Sequence, residues 1–143
     1  MINWLNKQEE AWEGTFRSEF FRNEDNQNEL FVCAEAPVDT DYAEKAIENF
    51  NALPEDVIQE ICKGIVRLAG QGGINEDFTL PELSVPEEIL EYCWFTTLYI
   101  NVQENGEIIL EGEGEWEEVI DIVLKNNQIV YIGTEYFDYD SES

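Results

Sequence analysis

From Cys93 onward the chain alternates with a period of two, and this most limits what it can fold into, because that period belongs to strands whose successive side chains face opposite ways. "CWFTTLYINVQ" reads as a long strand, and Asn105-Gly106 marks a two-residue hairpin turn, since both turn positions need positive φ. "EIILEGEGEWEE" is the return strand. It puts Ile108, Leu110, Gly112, Gly114 and Trp116 on one side and Glu107, Ile109, Glu111, Glu113, Glu115 and Glu117 on the other. Trp116 therefore belongs to the core, and the glutamates make a solvated carboxylate face. Neighbouring carboxylates on it are ~7 Å apart, and each pair repels by roughly 0.6 kcal/mol in water before screening. "VIDIVL", "KNNQ" and "IVYIGTEYF" then read as a strand, a tight turn and a last strand, and "DYDSES", residues 138–143, as a frayed acidic tail.

The first half reads differently. "WEGTFRSEFF" and "LFVCAEA" predict a hairpin around the polar turn "RNEDNQNE". Asp39 or Thr40 caps a first helix whose inner face carries Tyr42, Ala43, Ala46, Ile47 and Phe50. Leu53-Pro54 opens a second helix with Val57, Ile58, Ile61, Cys62, Ile65 and Leu68 as its stripe, ended by Gly70. Ser84 and Glu87 form a capping box for a short third helix from about Val85 to Tyr92. The order β-β-α-α-α-β-β-β-β predicts one α+β domain over residues 1–143: a mostly antiparallel sheet with two to three helices packed on one face.

The charge narrows the function. The chain holds 33 Asp and Glu against 7 Lys and Arg, a formal net charge of -26, and no basic residue occurs between Arg67 and Lys125. With 13% aromatic residues it has too much core material for a disordered acidic tail, so the acidity belongs to a folded surface. Such a field repels nucleic acid and anionic membranes and attracts basic proteins and cations. His is absent, which removes the commonest general base and metal ligand. Cys33, Cys62 and Cys93 are scattered and read as reduced, buried thiols. No signal-peptide or membrane-spanning run is present in the sequence, so the cytoplasm is the default.

No catalytic, cofactor or metal motif stands out, and the expected protein is not an enzyme. "GQGG" lacks the G-K-[ST] of a phosphate loop, and Asp39, Asp41 and Glu44, like Asp138, Asp140 and Glu142, lack EF-hand spacing. The aromatic residues Trp94, Phe95, Tyr99, Tyr131, Tyr136 and Phe137 read as core rather than as a binding platform. The carboxylate strand has three readings: a charged shield against edge-to-edge pairing, a docking face for a basic partner, or a cation site. The docking residues would be Glu111, Glu113, Glu115 and Glu117, with Glu107 and Glu118 flanking.

The stretch "GEGEWEEVIDIVLKNNQIVYIG", Gly112 to Gly133, resembles the closing hairpin of DUF6985-type domains, small acidic bacterial proteins similar to immunity proteins of toxin systems. In those, Trp and acidic residues precede a strand, a tight turn and an "I-V-Y-I-G"-like strand, matched here by Trp116, Glu117, Glu118 and Val130 to Gly133. The E-H-G-L that often follows the Trp there has no counterpart in a chain without His. The resemblance implies no functional residue. It suggests an inhibitor that occludes a basic, nuclease-like partner, beside the alternatives of a housekeeping domain with a solvated acidic surface and a carboxylate-rich, cation-dependent module.

Overall fold

The alternating segments assemble into one seven-stranded sheet whose spatial order repeats the sequence order, β1-β2-β3-β4-β5-β6-β7. The structure is a computed structural model and describes residues 2–7, 11–35, 39–101 and 107–134. The strands are β1 (Asn3–Lys7), β2 (Ala11–Arg17), β3 (Glu29–Glu35), β4 (Cys93–Asn101), β5 (Glu107–Gly114), β6 (Glu118–Lys125) and β7 (Gln128–Gly133). Between β3 and β4 come α1 (Thr40–Asn51), α2 (Glu55–Gln71) and a 3-10 helix (Pro86–Tyr92). The Asn105-Gly106 turn and the acidic tail lie outside the described residues.

The expected layout needs correction in two respects. The sheet is mixed rather than mostly antiparallel: β3 and β4 run parallel, pairing Phe31 with Thr97 and Cys33 with Tyr99. All three helices lie in this one connection, which is long enough for the crossover that a parallel pair requires. Nor do the helices form one layer packed on a single face. α2 stands against β7 and the 3-10 helix, and the 3-10 helix meets β4. α1 is tied to the N-terminal strands, where Glu44 accepts the Ile2 N–H at 2.9 Å and Asn51 donates to the Arg17 carbonyl at 2.8 Å. The α+β class itself stands, with a seventh strand, β1, that the apolar pattern does not mark.

Local chemistry explains most boundaries. Asp39 caps α1, accepting from the N–H groups of Asp41 and Tyr42, and the inner face buries Ala43, Ile47 and Phe50. Pro54 precedes α2, which continues through Gly70 to Gln71 and stops at Gly72, where φ is 79°. The third helix is 3-10, and its cap differs from the expected box: the Ser84 N–H donates to Glu88 Oε2 at 3.0 Å. β2 ends at Arg17 because the chain then turns in. Ser18 is buried and its Oγ accepts from the Phe21 N–H, which seats Phe21 in the core between Phe50 and Phe95.

The main core gathers Phe16, Leu30, Val32, Phe95, Leu98, Leu110, Ile120 and Ile122 from the sheet and Ile47, Phe50, Ile61, Ile65 and Leu68 from the helices. Trp116 is fully buried in it. Of the cysteines, Cys62 and Cys93 are buried, Cys33 is half-buried, and all three are free.

Candidate functional site

Residues directly opposite one another in a ladder share a face, so the register defines what lies on the side of the sheet away from the main core. One row runs Glu13, Cys33, Tyr99, Ile109, Val123, Tyr131 across β2 to β7. The next runs Thr15, Phe31, Thr97, Glu111, Asp121, Gly133. Glu29 and Glu35 on β3, and Glu113 on β5, belong to the same face by alternation. This far face has an apolar centre of its own: Ile109 and Val123 are buried, with Tyr99 and Tyr131 packed against them.

That centre changes the expected glutamate ladder. Glu107 is only 9% exposed and Asp121 3%, and Glu111 is half-buried, so the face is not uniformly solvated. The cause is Ile109. It sits among the glutamates and, with Val123 across from it, draws the tyrosine rings over the strand. Glu111 stands opposite Asp121, and Glu107 opposite Lys125.

The six expected docking residues are separated. Glu107, Glu111 and Glu113 lie on β5, but that strand ends at Gly114. Glu115, Trp116 and Glu117 form the turn into β6, with Glu117 at a φ of 57° and its N–H donating to the Gly114 carbonyl at 2.9 Å. Glu118 opens β6 and bonds the next N–H, that of Val119. The turn is held by the segment after α2. Asn75 donates from its backbone to the Trp116 carbonyl and from its side chain to the Glu115 carbonyl.

The glycines of the ladder answer to the core face. A Cβ on Gly112 would run into the Trp94 carbonyl oxygen and the Phe95 ring, and one on Gly114 into the Trp116 indole. Glycine alternates with glutamate because large rings already fill the inner side, whatever the outer side does.

The structure also brings in residues that the sequence pattern does not single out. Phe31 on β3 is 57% exposed between the short side chains of Thr15 and Thr97. Cys33 and Tyr99 are its neighbours, and Glu13, Glu29 and Glu35 stand around them. The available signal was "LFVCA", a strand apolar on both faces, which implies two covered or interacting sides. The electrostatics follow the geometry. Burial, then Glu13 and Glu35, raise the Cys33 thiol above its ordinary value. Burial, then Glu111, raise the Tyr99 phenol, against a lowering hydrogen bond from Thr97. Two concavities open beside Phe31. One of about 320 Å³ reaches the loop of Glu24 and Asp25, and one of about 190 Å³ is lined by Glu13, Cys33, Thr97 and Tyr99.

Among the described residues no group of three or more Cys, Asp and Glu side chains is placed to hold a metal ion. What the far face offers is aromatic surface rimmed by carboxylate, a combination suited to holding an organic cation.

The family model for a domain of unknown function, DUF6985, matches residues 2–139. The chain belongs to the DUF6985 family. The resemblance carried by Gly112 to Gly133 thus extends over nearly the whole chain, from ahead of β1 to beyond β7. No curated protein and no solved structure matches this DUF6985 chain. Among its described residues no helix is long and apolar enough to cross a membrane.

Proposed function

We propose that this DUF6985 domain is a binding protein, not an enzyme, that docks a basic protein on its far sheet face. The reading rests on one observation: an exposed Phe31 ring, with the half-buried Tyr99 and Cys33 beside it, ringed by Glu13, Glu29, Glu35, Glu111 and Glu113. An apolar centre within a polar rim is the anatomy of a protein interface. The rim selects the sign of the partner, and a chain charge of -26 speeds its approach.

The partner's Arg and Lys would pair with the rim carboxylates in charge-assisted hydrogen bonds. For a nuclease-like partner those same residues hold phosphate, so occupancy would be inhibition, as in an immunity protein acting in a bacterial cytoplasm. The far face repels nucleic acid and anionic membranes for the reason it attracts a basic protein.

The test is retention from nuclease-treated lysate at about 50 mM and about 500 mM NaCl, chosen to bracket strong and weak screening. The wild type is compared with a far-face variant, Glu29→Gln, Glu111→Gln, Glu113→Gln, and a control of equal charge change, Glu48→Gln, Glu76→Gln, Glu82→Gln. One basic protein held stoichiometrically by wild type and control, lost by the far-face variant and released by salt, is the expected result. Equal loss in both variants, or no specific protein, would reduce the acidity to a general surface property.

A further inference from the structure

We propose that the far face seats two basic side chains of an extended partner segment, at positions i and i+2, one on each side of the Phe31 ring. This rests on the reading of that face as a docking surface and specifies what it recognises. Phe31 stands between two separate concavities along β3, one toward Glu29 and one toward Cys33. Residues two apart on a strand are spaced by ~7 Å on one face, and alternate side chains of an extended ligand have the same spacing. A strand-like segment laid along β3 therefore puts its i and i+2 side chains into the two concavities and straddles the ring.

The lining determines the chemistry. The larger concavity is lined on this face by Phe31, Thr15 and Thr96 together with Glu24, Asp25 and Glu29, while Leu30 and Phe95 turn their side chains into the main core. The smaller is lined on this face by Phe31, Cys33, Thr97, Tyr99 and Glu13, while Val32 turns its side chain into the main core. An aromatic wall beside carboxylates matches a side chain with a methylene stem and a cationic head, which is Arg or Lys. A bare divalent cation has no stem to lay against that wall, and an anion would be repelled.

The Glu24 and Asp25 carboxylates are on a fixed loop. Asn23 Oδ1 accepts the N–H groups of Asp25 and Gln27, at 2.9 and 3.1 Å, and Asn23 Nδ2 donates to the Glu29 carbonyl at 2.9 Å. Little ordering is therefore left to be done on binding. Arg22 donates to Asn26 Oδ1 at 3.1 Å, and Arg17 stands opposite Glu29 at the end of the ladder.

Two synthetic peptides of identical composition test this, one with Thr between its two arginines and one with the arginines adjacent. Each is titrated into the ¹⁵N-labelled full chain at about 50 mM NaCl, where exposed charges are weakly screened. The alternating peptide is expected to bind about tenfold tighter, with amide shifts on β3, β4 and the Asn23–Gln27 loop, as the second seat adds a charge-assisted contact. Phe31→Ser, a change at an exposed position, should erase that preference while leaving the melting temperature unchanged. Asp25→Asn with Glu29→Gln should weaken the alternating peptide more than its isomer. Equal affinity of the two peptides, with shifts still on β3 and β4, would overturn the two-seat inference and leave the docking face standing. A preference that survives Phe31→Ser would overturn it as well. Absence of shifts on β3 and β4 with either peptide would overturn both the inference and the docking face.

Discussion

Gly112 and Gly114 lie where neighbouring backbone and rings have taken the room that a Cβ needs, the Trp94 carbonyl and Phe95 ring at one and the Trp116 indole at the other. Gly112→Ala and Gly114→Ala should each cost about 1 to 3 kcal/mol, the range for overpacking. Gly70 is the contrast: it is exposed, lies inside α2, and a Cβ there would meet nothing within 4 Å. Gly70→Ala should gain about 0.5 to 1 kcal/mol in urea unfolding. Equal effects at all three positions would remove this explanation of the Glu-Gly alternation. The cysteines add a pH dependence. Burial first, then Glu87, pushes the Cys62 thiol from 9.0 up to about 12; burial first, then Cys62 and Glu115, does the same to Cys93. A folded value above the unfolded one gives a contribution that is complete below pH 9 and lost as the pH climbs toward 12, because only the unfolded chain releases the protons in that window. Urea midpoints should fall between about pH 9 and about pH 10.5, with a shallower slope for Cys93→Ala. A midpoint flat over that range would show the thiols to be accessible to water.

The alternation of small or apolar residues with glutamate runs unbroken through "EGEGEWE", yet β5 stops at Gly114 and the chain turns at Glu115 to Glu117. The pattern misleads because a buried turn residue satisfies it as well as a strand residue does: Trp116 is apolar for its place in the core, not for its place in a ladder. The backbone supplies what the pattern lacks, a φ of 57° at Glu117. That conformation is costly for a non-glycine residue, so Glu117→Gly should stabilise by about 1 kcal/mol and Glu117→Val should destabilise, read as shifts in urea midpoint. A neutral Glu117→Gly would mean that the turn relaxes in solution. The "KNNQ" turn, in contrast, was legible. Asn126 and Asn127 both take positive φ, 52° and 65°, as a two-residue hairpin asks. β1 was not legible: "NWLNK" is almost wholly exposed, and it is a strand only because β2 offers it an edge. Capping chemistry placed α1 well, whereas Gly70 misplaced the end of α2 by one residue, since a glycine inside the last turn is tolerated until one at positive φ stops the helix.

At the scale of the molecule the charge acts on stability as well as on encounter. The ion pairs Lys45–Glu48, at 4.0 Å, and Lys63–Glu60, at 3.1 Å, are solvent-exposed and contribute little against a net charge of -26. The melting temperature should therefore rise between about 10 and 200 mM NaCl, as the Debye length falls from ~30 Å to ~7 Å. A salt-independent value would mean that the acids are effectively paired. The order of residues alone was enough for the period-two strands of the second half, the two amphipathic helices, the burial of Trp116 and an acidic folded surface. Each of these is local, fixed by side-chain spacing, by caps or by composition. Tertiary structure alone decided that β3 pairs with β4 in parallel, that Phe31 and Tyr99 meet, and that Glu111 and Glu113 share a face with Glu13 and Glu29 while Glu115 and Glu117 belong to a turn. The reason is that strand neighbours are chosen by closing a long connection, from Glu35 to Cys93, over a common core, and no residue within either strand records which partner that closure will bring.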